Sequence, residues 1–534
     1  MADYLEVTST WPAEVFIQRH YQSLLALGLD VHLIAHNADK KYAQRASIQA
    51  TELPWPVLTM PNFNHLALPV KLAKIWQYGL TGDLFRGRRK LRERVILAFF
   101  RQQKPTLIHF HTVQLATSLR WVPQTLGIPY TVSLRGSDIQ VSPLRSPQAL
   151  QTAVEAISFA AGIHVVCDQL GEFIAQRGLQ YTTIYTPVPL PETLPSYPSS
   201  GQDGLRFLSV GRLHWRKGYP DLLVALRGLL DSGVKAHLTL VGSGPDEERI
   251  NNRIDRLHLA HNVQLIGKAS FTQILELMAS SHAYIQASLA EGLSNAVAEA
   301  MAWGCPVFAT SVGGTSEVIK DSQTGFLLTP FYPDEWIECL KLASDNRLMA
   351  SIRRRAYEVA RATFAPELHG RRFIDFYQQA MSARPVESLA QATQASTTMD
   401  GSLDFPQDDK KGLRILVWGY WKWENGIDIL LRELGVYFKT QPISLRIVGL
   451  GPQEDELRYL AHSLGFGTQS MVGISEQEYQ DPQVKSRWWR GVHLVINAIE
   501  GAVTTWRLVT DLNTWDVPAG DVNTVRLRME ELCQ

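Results

Sequence analysis

From Val210 to Gly218 the chain reads Val-Gly-Arg-Leu-His-Trp-Arg-Lys-Gly, which sets Arg212, Arg216 and Lys217 between two glycines at the end of an apolar run. Basic side chains on a loop beyond a buried strand can grip a diphosphate through charge-assisted hydrogen bonds, and Gly211 lets a ligand approach the backbone. Taken alone, the same residues would equally make a solvated basic loop. A second stretch, Glu291-Gly292-Leu293-Ser294-Asn295-Ala296-Val297-Ala298-Glu299, follows an apolar run and opens a helix that ends at Gly304, before Pro306. Gly292 frees the backbone there, Ser294 is an N-cap candidate, and the first N–H groups of the helix face an anion. Glu291 falls in the loop and Glu299 inside the helix, where two carboxylates can accept hydrogen bonds from sugar or ribose hydroxyls. Glutamate is more often a plain surface residue. What argues for a site is that both stretches coincide with the turn Gly242-Ser243-Gly244-Pro245.

Positioning these groups requires strands that end at one edge. Short apolar runs at 5–9, 31–35, 106–110, 130–134 and 163–166 alternate with amphipathic stretches, and so do runs at 206–210, 237–241, 263–266, 283–287 and 307–310. Strands alternating with helices predict parallel sheets covered on both faces. The proline-laden stretch 187–204 separates the two sets. This predicts two α/β domains, 1–190 and 205–380, with a cleft where ligands meet the carboxyl ends of the strands. Residues 382–411, rich in Ser, Thr, Gln, Ala and Asp, read as a flexible linker.

Beyond the linker, residues 412–534 repeat part of the second domain. Gly204-Leu205-Arg206-Phe207-Leu208 aligns with Gly412-Leu413-Arg414-Ile415-Leu416. Gly211, Trp215 and Gly218 align with Gly419, Trp423 and Gly426, and Val241-Gly242-Ser243-Gly244-Pro245 with Val448-Gly449-Leu450-Gly451-Pro452. Glu291-Gly292 falls opposite Glu500-Gly501, but Tyr420, Asn425 and Leu508 stand where Arg212, Lys217 and Glu299 would be. The tail reads as a degenerate copy that has lost its ligand groups.

Lys+Arg and Asp+Glu both number 52, so charge gives no sign of a nucleic-acid partner. The four cysteines form no CxxC, which predicts a reduced compartment. No signal peptide and no apolar run long enough for a membrane span is evident, and a cytoplasmic protein is expected. The basic stretch Asp83–Leu97, densest from Arg86 to Arg94, is either a solvated helix face or a peripheral contact with the inner face of an anionic membrane.

The ordered set of motifs resembles retaining glycosyltransferases of family 4, with the GT-B fold, over about residues 1–380. It comprises the loop Gly211-Arg212 to Lys217-Gly218, the turn Gly242–Pro245, the glutamate pair Glu291 and Glu299, and Gly313-Gly314 with Glu317 ahead of Thr324-Gly325. The resemblance implies two Rossmann-like domains facing a cleft, with the tail as a third after the linker. It implies a hexosyl-type transfer from a UDP- or GDP-sugar to a saccharide or lipid-linked acceptor in exopolysaccharide or cell-surface glycan biosynthesis. Arg212 and Lys217 would bind the diphosphate, Glu299 the ribose, and Glu291 with Gly292, Leu293, Ser294 and Asn295 the transferred sugar; Gly211 and Gly242 would shape the pocket. In the first domain, Thr10-Trp11-Pro12-Ala13-Glu14 resembles the exopolysaccharide branch but lacks the double glycine found there in other members. His109-Phe110-His111 resembles the acceptor-side segment and is equally a structural pair. Asp138 carries over from a His-Gly-x-Asp motif in which Arg135 replaces histidine, and Arg135 would add positive charge near the leaving phosphate. Phe364-Ala365-Pro366 and the helix after it resemble a segment that crosses back to the first domain. No Asp-x-Asp metal motif occurs, so neither metal nor cofactor is expected. The alternatives are a sugar-nucleotide epimerase or hydrolase on this fold and a non-catalytic nucleotide-sugar-binding scaffold.

Overall fold

A computed structural model describes residues 4–11, 14–38, 50–52, 88–136, 139, 147–198, 204–382, 413–421, 427–438, 443–466, 471–473, 494–499, 505–509, 514–518 and 525. The chain divides into two compact units, Met1–Gln140 with Leu150–Ala392, and Val141–Ala149 with Thr393–Gln534. Asp138 and residues 383–411 of the expected linker 382–411 lie outside the described residues, and Ser382 ends a helix instead of opening the linker.

The first unit is built on two parallel sheets. The strands of one are β1 (Tyr4–Trp11), β2 (Val31–Ala38), β3 (Ala50–Glu52), β4 (Leu107–Phe110), β5 (Tyr130–Leu134), β6 (Gly162–Val165) and β7 (Thr182–Thr183), in the order β3-β2-β1-β4-β5-β6-β7. Those of the other are β8 (Leu205–Val210), β9 (Ala236–Val241), β10 (Val263–Leu265), β11 (Ala283–Gln286), β12 (Val307–Thr310) and β13 (Phe326–Leu328), in the order β10-β9-β8-β11-β12-β13. Each of the ten apolar runs read from the sequence coincides with one of these strands. They are apolar throughout because both faces are covered: Leu5, Val7, Ile108, Phe110, Val132 and Leu134 are buried in one domain, and Phe207, Leu238, Leu240, Ile285 and Phe308 in the other. Strand order reverses between β8 and β11, which pair in register Ala283↔Phe207, so the loops leaving both strands open at the same switch point.

The second unit contains β14 (Leu413–Tyr420), β15 (Ile443–Leu450), β16 (Met471–Gly473), β17 (Leu494–Ile499), β18 (Thr505–Val509) and β19 (Thr514–Pro518). Their order, β16-β15-β14-β17-β18-β19, is parallel across the first four strands, as in β10-β9-β8-β11. It then changes, since β18 runs antiparallel to β17 and to β19. Leu508, which the repeat aligns with Glu299, therefore lies on a strand, whereas Glu299 lies on the helix Asn295–Ala302. Composition accounts for the difference: Asn-Ala-Val-Ala-Glu-Ala-Met-Ala favours a helix, and Thr-Trp-Arg-Leu-Val favours a strand.

Pro366–Ser382 is a helix that returns to the first domain and buries Phe373, Phe376 and Tyr377 beside Ile17, Tyr21, Leu24 and Leu107. A polar network is enclosed beneath it. Glu6 Oε1 accepts from His20 Nε2 at 2.7 Å and Tyr377 Oη at 2.9 Å, and Glu6 Oε2 accepts from His111 Nε2 at 3.1 Å. His369 Nδ1 donates to the Tyr185 carbonyl at 2.8 Å, which leaves its Nε2 to accept from His20 Nδ1 at 2.9 Å. His164 Nε2 donates to the Ile184 carbonyl, its Nδ1 accepts from the Ser133 hydroxyl at 2.7 Å, and that hydroxyl accepts from His109 Nε2 at 2.9 Å. The Thr131 hydroxyl closes the chain on His109 Nδ1 at 2.8 Å.

Each assignment leaves His109, His111, His164 and His369 neutral. Burial depresses all four, His111 to about 4 despite the opposing pull of Glu6. Burial alone would raise the Glu6 carboxyl, but its attraction to His20 and the hydrogen bonds from both imidazoles hold it well below the usual range. Histidines that stay neutral in the fold take up protons only on unfolding, so their contribution is present above the unfolded value of about 6.5 and is lost as pH falls toward the folded values. The unfolding midpoint in urea should therefore drop between about pH 7 and about pH 5, with His111 alone worth on the order of 3 kcal/mol over the full window. A midpoint that stays flat through that range would rule out the neutral network.

Candidate active site

The loop after β8 is shaped by its own backbone. Trp215–Lys217 forms a 3-10 turn, and His214 accepts from the Arg216 N–H at its start. Gly218 then takes φ +61°, and a Cβ there would stand 1.9 Å from the Ala287 carbonyl oxygen, so only glycine allows this loop to lie against the end of β11. The Leu289 N–H completes the seam by donating to the Arg216 carbonyl at 2.7 Å. Gly242, at φ +148°, leaves similarly little room, since a Cβ would meet the Gly211 carbonyl at 1.8 Å. The Gly211 carbonyl is therefore packed against the turn at Gly242.

With the loops locked together, Lys217 Nζ donates to Glu291 Oε2 at 2.5 Å, both side chains being 19% exposed. The Ser288 hydroxyl donates to the same oxygen at 3.2 Å. Beneath them Gln286 Nε2 donates to Ser288 Oγ, and Gln286 Oε1 accepts from Tyr284 Oη and from Ser294 Oγ. Thr310 Oγ1 donates to the Ser288 carbonyl at 2.5 Å. Arg212 is exposed, and among the described residues it forms no hydrogen bond or ion pair.

Ser294 stands at the N-cap of the Asn295–Ala302 helix, but its hydroxyl does not cap that helix. It turns to Gln286 at 3.1 Å, so the tertiary hydrogen bond prevails over the local one and leaves the first N–H groups of the helix to another acceptor. Gly292 is buried, Leu293 and Asn295 are half-buried, and Glu299 is buried inside the helix. Burial raises the Glu299 carboxyl above its usual range, with Arg19 pulling the other way from a 2.7 Å ion pair.

Arg19 belongs to α1 (Val15–Ala26) of the first domain, so this pair joins the two domains. Glu317 does the same. It accepts from the backbone N–H groups of Asp168 at 2.9 Å and Gln169 at 3.0 Å, at the start of the helix Asp168–Ala175, and from Tyr185 Oη at 3.1 Å. A Cβ on Gly292 would lie 2.5 Å from the Arg135 carbonyl, which places the Arg135 backbone directly against the loop that carries Glu291. The Arg135 guanidinium stacks on Phe16 at 4.3 Å from the ring centroid and lies 3.4 Å from His111 Nδ1. His109 and His111 are fully buried, with every ring nitrogen engaged, while Glu14 is exposed at the start of α1. Glu6, His20 and His111 carry ligand atoms within 4.8 Å of one another, as a metal site would, but each imidazole already bonds the carboxylate directly.

Residues 13–188 match the family model "Glycosyl transferase 4-like domain", and residues 198–362 match "Glycosyl transferases group 1". The chain carries the two domains of a glycosyltransferase. Among sequence relatives, the glycosyltransferase pair resembles the putative teichuronic acid biosynthesis glycosyltransferase TuaC of Bacillus subtilis, 26% identical over 41% of this chain and 56% of the relative. It also resembles the N-acetyl-alpha-D-glucosaminyl L-malate synthase of Bacillus anthracis, 35% identical over 25% of this chain and 35% of the relative. The chain thus spans from 35% to 56% of these relatives' lengths. Of solved structures, Anabaena HepE in complex with UDP-glucose is similar at TM-score 0.55 and 18% identity, over 70% of this chain and 99% of that one. Sucrose-phosphate synthase of Thermosynechococcus elongatus gives TM-score 0.56 at 16% identity, over 72% and 100%. At these identities the likeness is one of fold: two Rossmann-like α/β domains in the GT-B arrangement.

Sequence reading did not single out Arg19, Glu6, His20, Gln286 or Ser288. Arg19 and His20 sit on an ordinary amphipathic helix, and Gln286 and Ser288 are polar residues at the end of an apolar strand. A polar residue interrupting a buried strand was the one available signal. The Glu317 contacts are open to test: Glu317→Ala should remove an acceptor shared by three donors and lower unfolding free energy by about 1–3 kcal/mol. Urea denaturation measures it, Glu317→Gln should lose less, and equal stability of the alanine variant and the wild type would contradict the assignment.

Proposed function

We propose that the chain is a retaining, metal-independent glycosyltransferase that moves a sugar from a UDP- or GDP-sugar to a saccharide or lipid-linked acceptor. The observation that carries this reading is the meeting of Lys217 with Glu291 at 2.5 Å where β8 and β11 end side by side, with Arg212 exposed on the same loop. One edge of the sheet thus offers cations for a diphosphate and carboxylates for hydroxyls. In the transfer, the bond from the sugar's anomeric carbon to the phosphate oxygen breaks and negative charge grows on the departing diphosphate. Arg212, Lys217 and the uncapped N-terminus of the Asn295–Ala302 helix meet that charge with hydrogen-bond donors. Sugar hydroxyls that donate to Glu291 would release Lys217 from it toward the phosphate. The acceptor hydroxyl attacks from the face the phosphate leaves, and its proton passes to a phosphate oxygen, so configuration is retained.

A role in exopolysaccharide or cell-surface glycan biosynthesis is part of the same proposal; TuaC is named for teichuronic acid biosynthesis, and the fold neighbour HepE is in complex with UDP-glucose. No helix among the described residues is long and apolar enough to cross a membrane. A lipid-linked acceptor would then be met at the membrane's inner face, with the basic stretch near Arg86 to Arg94 as the contact. The full chain, assayed with excess chelator against a panel of nucleotide sugars, should release the nucleoside diphosphate from one of them. Arg212→Ala and Lys217→Ala should each lower kcat/KM by about ten- to a hundredfold, from a loss of about 1.5–3 kcal/mol. Near-normal turnover by the double variant would refute the diphosphate assignment, and complete loss on chelation restored by Mn²⁺ would refute metal independence.

The second unit is, in our reading, a degenerate copy of the donor-type domain. Support comes from the aligned motifs and from four parallel strands in the same order, ending where β18 turns antiparallel. Residues 1–385 alone should transfer sugar at close to the full-length rate, with circular dichroism as the folding control. A folded but inactive truncation would make the tail part of the working site.

A further inference from the structure

Arg19 combines three features that an ordinary surface ion pair lacks. Its side chain is only 10% exposed although it lies at the junction of two domains. Its guanidinium is held from two sides, by Glu299 Oε1 at 2.7 Å and by the ring of Phe271, 5.0 Å from the centroid. Its other terminal nitrogen, Nη1, is buried and has no hydrogen-bond partner. A buried donor left unpaired carries a full desolvation penalty, and guanidinium nitrogens donate only. Among the described residues no group besides Arg19 bonds the Glu299 carboxylate, so an uncommitted donor and an uncommitted acceptor stand side by side on one ion pair. A hydroxyl group is complementary to that arrangement because it can donate to the carboxylate and accept from the guanidinium at once.

We infer that Arg19 of the first domain is a donor-binding residue, forming with Glu299 a two-sided reader of the nucleotide's ribose diol. The inference rests on the proposed binding of a nucleotide sugar and adds a group from the opposite domain. One ribose hydroxyl donates to the free Glu299 oxygen and accepts from Arg19 Nη1, so the diol satisfies what the empty pair leaves unpaired. The nucleotide is thereby held by both domains, and recognition depends on the hydroxyl itself.

Titration calorimetry on the full chain tests this with UDP and GDP, and with the 2′-deoxy and 3′-deoxy forms of whichever binds. The wild type should prefer the ribonucleotide to at least one deoxy form by about tenfold or more, the scale of a hydrogen bond to a charged group. Arg19→Ala should lose about tenfold in affinity for the ribonucleotide and little for that deoxy form, so the preference collapses. Arg19→Lys keeps a cation but lacks the second donor in a fixed plane, and it should recover only part of the preference. Arg212→Ala should weaken ribo and deoxy forms alike and leave the preference intact. Thermal unfolding of each variant shows that the fold persists, and Arg19→Lys decides the matter should alanine unfold the protein. Tighter binding by Arg19→Ala would make the pair an obstruction and overturn the inference, as would equal losses for ribo and deoxy forms. If the wild type binds the nucleotide but Arg19→Ala matches it throughout, only the role of Arg19 falls. If the wild type binds neither nucleotide, the nucleotide-sugar reading falls with it.

Discussion

Lys217 and Glu291 lie 74 residues apart, and a backbone contact brings them together. Gly218, in the left-handed region, presses its loop against the Ala287 carbonyl with no room for a side chain, and the Leu289 N–H donates to Arg216 across the same seam. The cation reaches the carboxylate because the two loops are already joined at main-chain level. Everything above the seam inherits its position from it: Glu291 between Lys217 and Ser288, Ser288 on Gln286, Gln286 on Tyr284 and Ser294. The backbone that carries these side chains is therefore set by contacts within the chain itself.

The two domains of the first unit meet through polar contacts of different character. Glu317 takes the N–H groups at the start of the Asp168–Ala175 helix, a place where a carboxylate is favoured by unsatisfied donors and by the helix dipole. Arg19 and Glu299 are both nearly buried, an arrangement that ordinarily costs more desolvation than it returns. One contact is a structural joint, and the other is the pair inferred to read the ribose. Farther in, Glu6 ties the first strand to α1, to the segment after β4 and to the closing helix, through His20, His111 and Tyr377. Neutral imidazoles make that tie compatible with full burial, because His109, His111, His164 and His369 each donate at one ring nitrogen and accept at the other.

Much of the fold was legible because its signals are short-ranged. Apolar runs of four or five residues marked each of the ten strands expected in the first unit, and glycine at 218, 242 and 313 marked turns that the structure places at positive φ. The short edge strands β3, β7 and β13 were missed, having too few residues for a pattern. Strand order in the tail follows that of the second domain as far as β17 and departs from it at β18, where local composition favours a strand over the helix that the alignment expected.

The sequence by itself determined the strands, the turns and the kinds of group at the edge of the second sheet: cations at 212 and 217, carboxylates at 291 and 299. Tertiary structure alone decided which of them meet. Lys217 is held by Glu291, Arg212 stays exposed, Glu299 is answered by an arginine from the other domain, and Ser294 serves Gln286 in place of its own helix. The reason is one of range. Propensity and periodicity act over a few residues, whereas Glu6 meets Tyr377 across 371 positions, a distance closed only by strand order and the return of the final helix.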